Sequence, residues 1–269
     1  MNYKHLFPTF RNRYLFIRRN LVQLTKEQKF GHVLNLGTGE GDYDRMIASH
    51  CDQLTAVDIN QRDIDHAKIL NQDVPNLTYG IEDALHLSFA DNSFDLIVSV
   101  EVIEHVGRPE RMLEEIARVL KPNGMALLTF PHLKFPFTYD PINRILSWFT
   151  NKNIAQGAYA FGHEYLVSKD DFINWAETYH LSVVEERNLG GYIIGFLEMY
   201  WTGIIQGIFK SNATNESKPE ERKLTLRPSN KEPFLTRITD LIIFVDYTLF
   251  KRSKHSIGKG FILQKRTNP

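Results

Sequence analysis

The sequence predicts an α/β fold: a parallel sheet with helices on both faces, and a helical insertion ahead of the last strand. Three observations carry this. Short apolar runs at 32–36, 54–57, 77–79, 94–100 and 125–130 alternate with helical patterns, as expected of strands joined by crossover helices. The first run ends in a glycine-rich turn at 37–41 that opens a helical pattern. Two later runs, 181–186 and 260–264, read as the last two strands, with a long and largely apolar stretch between them.

The 269 residues suffice for one large domain or one domain with an elaboration. Lys+Arg and Asp+Glu both number 32, so the formal net charge is zero. A dedicated nucleic-acid binder carries a basic excess, so nucleic acid is not an expected partner. The one cysteine, Cys51, has no intramolecular disulfide partner and gives no sign of an oxidising compartment. The first residues, MNYKHLFPTFRNRYLF, scatter charges through their apolar positions. They contain no uninterrupted run of the kind a secretory signal carries. The expected location is cytoplasmic, with peripheral membrane contact as a second expectation.

Taken in order, Phe10, Tyr14, Ile17 and Leu21 recur at helical spacing and predict an amphipathic helix over 10–25, within a lead-in of residues 1–30. Residues 31–188 form the core. Within it, Pro109 suits a first helical turn, Leu113, Ile116, Ala117 and Leu120 form an apolar stripe, and Pro122-Asn123-Gly124 supplies a terminating turn. A second helix is capped by Ser168; Asp170 and Asp171 suit its positive end, and Phe172, Trp175, Ala176 and Tyr179 form its buried face. Residues 189–256 form a helical cap. Its polar part, 210–233, is rich in Ser, Asn, Lys and Glu, a composition expected to be mobile. The apolar stretch 192–209, at ~18 residues, sits at the lower limit for a membrane span. A span there would cut the last strand from the sheet, so a buried helix covering the active site is expected. In 234–250, Leu235, Ile238, Ile242, Val245 and Leu249 make a stripe, followed by Lys251, Arg252 and Lys254. One reading is a cap helix on the core. The other is a lipid-facing or oligomeric surface, giving peripheral membrane contact or a homodimer through 189–256. The aromatic-rich stretch 135–149 either adds to that surface or lines the acceptor pocket. Residues 257–269 complete the last strand and tail.

The strongest local signal is VLNLGTGEG at 33–41. Gly37, Gly39 and Gly41 at a strand-to-helix turn allow a tight bend and close approach of a ligand to the main chain. The spacing is G-x-G-x-G; the dinucleotide fingerprint is G-x-G-x-x-G, and Asp42 stands where its third glycine belongs. By themselves these glycines also fit an ordinary turn. Asp58, at the end of the second strand and about 20 residues past the first glycine, can accept hydrogen bonds from both ribose hydroxyls of an adenosine. Asp83 follows the third strand with Ala84 and Leu85 beside it, an arrangement that suits an adenine edge between apolar walls.

With those pieces in place, residues 31–131 resemble a class I S-adenosylmethionine-dependent methyltransferase of the ubiquinone-biosynthesis type, in the methyltransferase type 11 family. The matching segments are VLNLGTGEG, AVDIN, EDALHLSFADNSFDLIVSVEVIEHV and IARVLKPNGMALLTFP. The resemblance implies a Rossmann-like, seven-stranded sheet whose last strand is antiparallel. It implies S-adenosylmethionine as cofactor, with Gly37, Gly39 and Gly41 bordering the methionine part, Asp58 on the ribose and Asp83 on the adenine. Asn35, Thr38, Ile59, Ala84 and Val100 complete the implied cofactor set. Family members often carry an acid where this chain has Asn35, and Cys or Ser where it has Thr38, so altered contacts are expected at both.

After the fourth strand comes Val100-Glu101-Val102-Ile103-Glu104-His105. If it begins a helix, Glu101, Glu104 and His105 share one face at i, i+3 and i+4. Such a trio suits a divalent cation or acid–base work. Packing and cofactor positioning without metal is the alternative. The segment FGHEYLVSKDDFINWAE, 161–177, resembles the one that follows the fifth strand in ubiquinone O-methyltransferases and in small-RNA 2′-O-methyltransferases. There an E-x-x-E-H run and a later histidine surround a Mg²⁺-type ion. The resemblance therefore implies a Mg²⁺ or Mn²⁺ site of Glu101, Glu104, His105 and His163, with the ion lowering the pKa of a bound hydroxyl. Without a metal, His105 or His132 is the candidate general base.

The function expected is methyl transfer to an oxygen of a small or lipid-like acceptor. The competing classes are a non-catalytic S-adenosylmethionine-binding protein that assists a partner, and a nicotinamide-dependent oxidoreductase, which the glycine spacing disfavours.

Overall fold

The computed structural model describes residues 2–132, 148–149, 167–197 and 229–267. Its strands are β1 (Phe30–Leu36), β2 (Cys51–Asp58), β3 (Leu77–Ile81), β4 (Phe94–Val100), β5 (Leu120–Pro131), β6 (Leu181–Asn188) and β7 (Gly258–Lys265). They form one sheet in the order β3-β2-β1-β4-β5-β7-β6. The pairs among β1 to β5 are parallel, and β7 runs antiparallel to both β5 and β6. The seven strands and the antiparallel last strand match the expected architecture. Chain order reverses between β1 and β4, and in open α/β sheets ligands bind in the crevice outside the carboxyl ends of the strands at such a switch point.

The helices are α1 (Pro8–Leu24), α2 (Asp44–Ala48), α3 (Gln61–Leu70), α4 (Pro109–Val119), α5 (Lys169–Thr178) and α6 (Thr236–Phe250). The strands read as continuous apolar runs because both sheet faces are covered. Leu34, Leu36, Ile97, Ala126, Leu128, Phe130, Phe261 and Leu263 share one buried cluster with Met112, Leu113 and Ile116 of α4 and Phe172 and Ala176 of α5. Their chain neighbours Val33, Leu96, Val98, Leu127 and Ile262 lie in a second cluster with Phe16, Ile17 and Leu21 of α1 and Ile47 of α2. Successive strand residues point to opposite faces, so one sequence run fills two cores. Helix α1 is thus part of the main core, and a Cβ added at Gly260 would come within 2.8 Å of the Phe16 ring. Helix α5 begins as expected: the Ser168 Oγ accepts from the Asp171 amide at 3.1 Å.

Two expectations need correction. The stripe ending in Leu120 is one residue too long, because α4 stops at Val119 and β5 starts at the buried Leu120. Pro122-Asn123-Gly124 lies inside the start of β5, where Asn123 takes φ 62°. Residues 101–105 do not begin an α-helix. Glu101 has φ 57°, in the left-handed region, and only a short 3-10 turn, Ile103–His105, follows. For α6, read as either a cap helix on the core or an outward surface, the structure turns most of the stripe outward. Of its expected stripe, Leu235, Ile238, Val245 and Leu249 are exposed, together with Leu241 and Phe244. The buried side carries Thr236, Thr239, Ile243 and Asp246. Polar contacts hold that side: Arg11 of α1 donates to Asp240 at 2.7 Å, and Asp246 accepts from the amides of Gly191, Ile193 and Ile194 at 2.6, 2.9 and 3.2 Å. The last three amides open a helical segment over 192–197, so Asp246 caps a positive helix end. The rest of the 192–209 stretch, almost all of 210–233 and most of 135–149 lie outside the described residues. No helix among the described residues is long and apolar enough to cross a membrane.

Candidate active site

The crevice is built from the turn after β1. Gly37, Gly39 and Gly41 have φ of 78°, 54° and 84°, a region that L side chains rarely adopt. Their surroundings separate three jobs. A Cβ at Gly37 would lie 2.2 Å from Val102 Cγ2, and one at Gly41 would meet Asn71 and Ala67 at 2.7 and 2.9 Å. At Gly39 nothing lies within 4 Å. Gly37 and Gly41 therefore let protein pack against the turn, whereas Gly39 presents bare backbone to open space.

Asp58 faces that backbone. Its Oδ2 accepts from the Gly39 amide at 2.8 Å and its Oδ1 from the Asn60 amide at 2.9 Å. The carboxylate is thereby aimed at the mouth of the crevice, with acceptor capacity left for hydroxyls. Ile59 next to it is 71% exposed, and Ile81 at the end of β3 is 45% exposed. Asp83 is exposed and accepts from the Leu85 amide at 2.9 Å, while Ala84 is buried. Two carboxylates with uncovered aliphatic side chains beside them form the chemistry that an adenosine needs. Val100, half-buried, ends β4 on the far side of the crevice.

Asn35 and Thr38 are turned inward. Both are buried, and both donate to the buried Asp44 Oδ1, at 2.6 and 2.7 Å. Tyr79 donates to the other oxygen of Asp44 at 2.7 Å. Burial pushes the Asp44 carboxyl above its ordinary range, and these three donors oppose the shift. The Asn35 amide thus serves an acid nine residues on. Sequence reasoning did not find Asp44, because only the folded turn brings it between Asn35, Thr38 and Tyr79. It also missed the N-terminal latch: Asn2 donates to Asp42 at 2.8 Å, and Lys4 pairs with Glu40 at 3.1 Å as well as with Asp42. Asp42, an oddity in the glycine turn, is thereby accounted for.

Of the expected metal set, Glu101, Glu104 and His105 fall among the described residues. Glu101 is paired with Arg13 and accepts from Thr129 at 3.0 Å. Glu104 is fully buried, its oxygens have no hydrogen-bond partner among the described residues, and its Oε1 lies 3.9 Å from His105 Nε2. His105 is exposed. With Glu101 in the left-handed region and only a 3-10 turn after it, the three do not share one α-helical face. His163 lies outside the described residues. Among the described residues the only trio of suitable ligand atoms is Glu40, Asp63 and His66; Glu40 is already paired with Lys4. His132 is buried at the carboxyl end of β5, with its amide bonded to Ile257 O at 3.0 Å. It lines a cleft of about 660 Å³ between the ends of β5, β6 and α6.

Comparison with known proteins agrees with this geometry. A family profile described as "Methyltransferase domain" matches residues 34–128. The ubiquinone biosynthesis O-methyltransferase of Coxiella burnetii is 33% identical over 109 residues, 40% of this chain and 47% of that protein. The ubiquinone/menaquinone biosynthesis C-methyltransferase UbiE of Haemophilus ducreyi is 30% identical over 140 residues, 49% of this chain and 52% of that protein. The chain thus spans about half the length of these curated relatives. Among solved structures, the [4+2]-cyclase SpnF superposes with a TM-score of 0.58 over 94% of this chain and 82% of that one, at 13% identity. That likeness speaks for the fold.

Proposed function

We propose that this chain, whose residues 34–128 match a methyltransferase domain, is a class I S-adenosylmethionine-dependent methyltransferase that methylates an oxygen of a small or lipid-like acceptor. The observation that supports cofactor binding best is the open backbone at Gly39 with the Asp58 carboxylate held across it. On this reading Gly37, Gly39 and Gly41 shape the methionine end, Asp58 takes the ribose, and Asp83 and Ala84 take the adenine beside Ile59. Asn35 and Thr38 hold the turn through Asp44, and Val100 closes the crevice. The cofactor supplies an activated sulfonium methyl. The protein's task is then to align acceptor and methyl in line and to keep water out. His132 at the end of β5 and His105 after β4 are the candidates to take the acceptor's proton. The two curated relatives are named as an O- and a C-methyltransferase; oxygen is favoured because two imidazoles stand at the strand ends. The outward apolar face of α6 supports peripheral membrane contact or self-association through 189–256.

Titration calorimetry tests the cofactor reading. The wild-type protein binds S-adenosylmethionine and ignores NADH, and Asp58→Ala weakens binding by about 1–3 kcal/mol through loss of charged hydrogen bonds. An Asp58→Ala variant that binds as the wild type does removes the ribose assignment.

A further inference from the structure

The cleft beside His132 concentrates positive charge in a chain that has none to spare. Its walls carry six cationic side chains, Lys169, Arg187, Lys251, Arg252, Lys254 and Lys259, against the two carboxylates Asp170 and Glu186. Glu186 is already neutralised, by Lys169 at 2.5 Å and Lys259 at 2.6 Å. Arg187 is different. Its Nε and Nη1 are buried and make no hydrogen bond to any described residue. Its guanidinium lies 4.1 Å from the centre of the Tyr247 ring, which fixes the plane of the fork. A desolvated guanidinium with empty donors is costly unless an anion meets it. Lys251, Arg252 and Lys254 make no ion pair among the described residues. Asn188 clips their turn to the end of β6 by donating to Ser253 O at 2.9 Å and Lys251 O at 3.4 Å. The charges are therefore presented by a fastened turn.

We propose that this cleft is an anion site that holds a phosphate or phosphoester group of the methyl acceptor, with the acceptor's reacting atom toward His132. Arg187 supplies a guanidinium charge held against the Tyr247 ring, and Lys251 and Lys254 supply point charges. The cleft volume, about 660 Å³, exceeds one phosphate and accommodates a phosphorylated small molecule or the headgroup end of a lipid. The inference rests on the methyltransferase reading for the identity of the ligand as acceptor.

The test is calorimetry with sn-glycerol 3-phosphate, with glycerol as the uncharged control, and co-sedimentation with phosphatidylcholine vesicles with and without phosphatidic acid. S-adenosylmethionine is titrated into the same samples. The protein is compared with Arg187→Gln and with Lys251→Gln/Lys254→Gln, whose changes lie on an exposed turn. Glycerol 3-phosphate that binds where glycerol does not, and that loses about tenfold or more in both variants, supports a soluble phosphoester. Binding only to the phosphatidic-acid vesicles, lost in the same variants, supports a lipid headgroup. Absence of both, or binding indifferent to the variants, overturns the site while leaving S-adenosylmethionine binding intact. Phosphoester binding without S-adenosylmethionine binding instead overturns the methyltransferase reading.

Discussion

At the residue scale, the glycine turn shows how much a spacing can say. Three glycines after a strand marked a tight turn, and each takes a positive φ that other residues avoid; the glycines alone also fitted an ordinary turn, and Asp58 and Asp83 were needed to read a ligand crevice there. Their division of labour was not legible, since it depends on what packs nearby: Val102 at Gly37, Asn71 and Ala67 at Gly41, nothing at Gly39. The division makes a prediction. Gly37→Ala forces a 2.2 Å contact and should destabilise the fold by about 2–4 kcal/mol, through overpacking added to the φ strain. Gly39→Ala should cost only about 1 kcal/mol of stability yet abolish measurable S-adenosylmethionine binding. Urea denaturation and calorimetry on both variants check this, and equal effects on stability would refute it. Glu104 carries a second prediction. Burial, and then the charge of Glu101, holds its carboxyl well above the ordinary range. The folded protein thus keeps a proton that the unfolded chain has lost. This stabilising contribution is full below the ordinary carboxylate range and disappears as pH rises through the raised value. Glu104→Gln lacks that dependence. The variant should match wild type near pH 4 and exceed it at neutral pH by on the order of 1–3 kcal/mol. Denaturation midpoints that run parallel from pH 4 to 8 would show that Glu104 is not held protonated.

At the element scale, legibility followed burial. The central strands were readable because both faces are covered, which leaves their apolar runs unbroken in sequence. Helix α5 was readable from its cap and its buried Phe172 and Ala176. Residues 101–105 were misread, and the direction of α6 was left open, for different reasons. Residues 101–105 have helical spacing of charge but a left-handed residue at their head, and no periodicity argument sees a single φ. Helix α6 has helical spacing of apolar residues, which says that a face exists but not which way it turns. The orientation is set by Asp240 and Asp246, whose partners Arg11 and the 191–194 amides lie far away in the chain. The N-terminal latch on Glu40 and Asp42 was hidden for the same reason.

At the scale of the whole molecule, the strand order brings the crevice at the glycine turn and the basic cleft to one end of the sheet. The switch point between β1 and β4 opens the crevice, and β5, β7 and β6 carry His132 and the basic cleft to the same end of the sheet. Helix α6 ends at that cleft, with Ile238, Leu241, Phe244, Val245 and Leu249 turned outward. A helix that buries its polar side and exposes its apolar side is poorly suited to water alone. The row of basic residues after it favours an anionic lipid surface as the covering, and a second copy of the chain is the competing one. Leu241→Glu/Phe244→Glu changes only exposed positions, so folding and S-adenosylmethionine binding should persist. Wild-type protein should co-sediment with vesicles containing phosphatidylglycerol, or show a dimer mass in light scattering at micromolar concentration, and the double variant should do neither. A wild-type protein that stays monomeric and leaves the vesicles untouched would mean that this face serves no assembly or membrane contact.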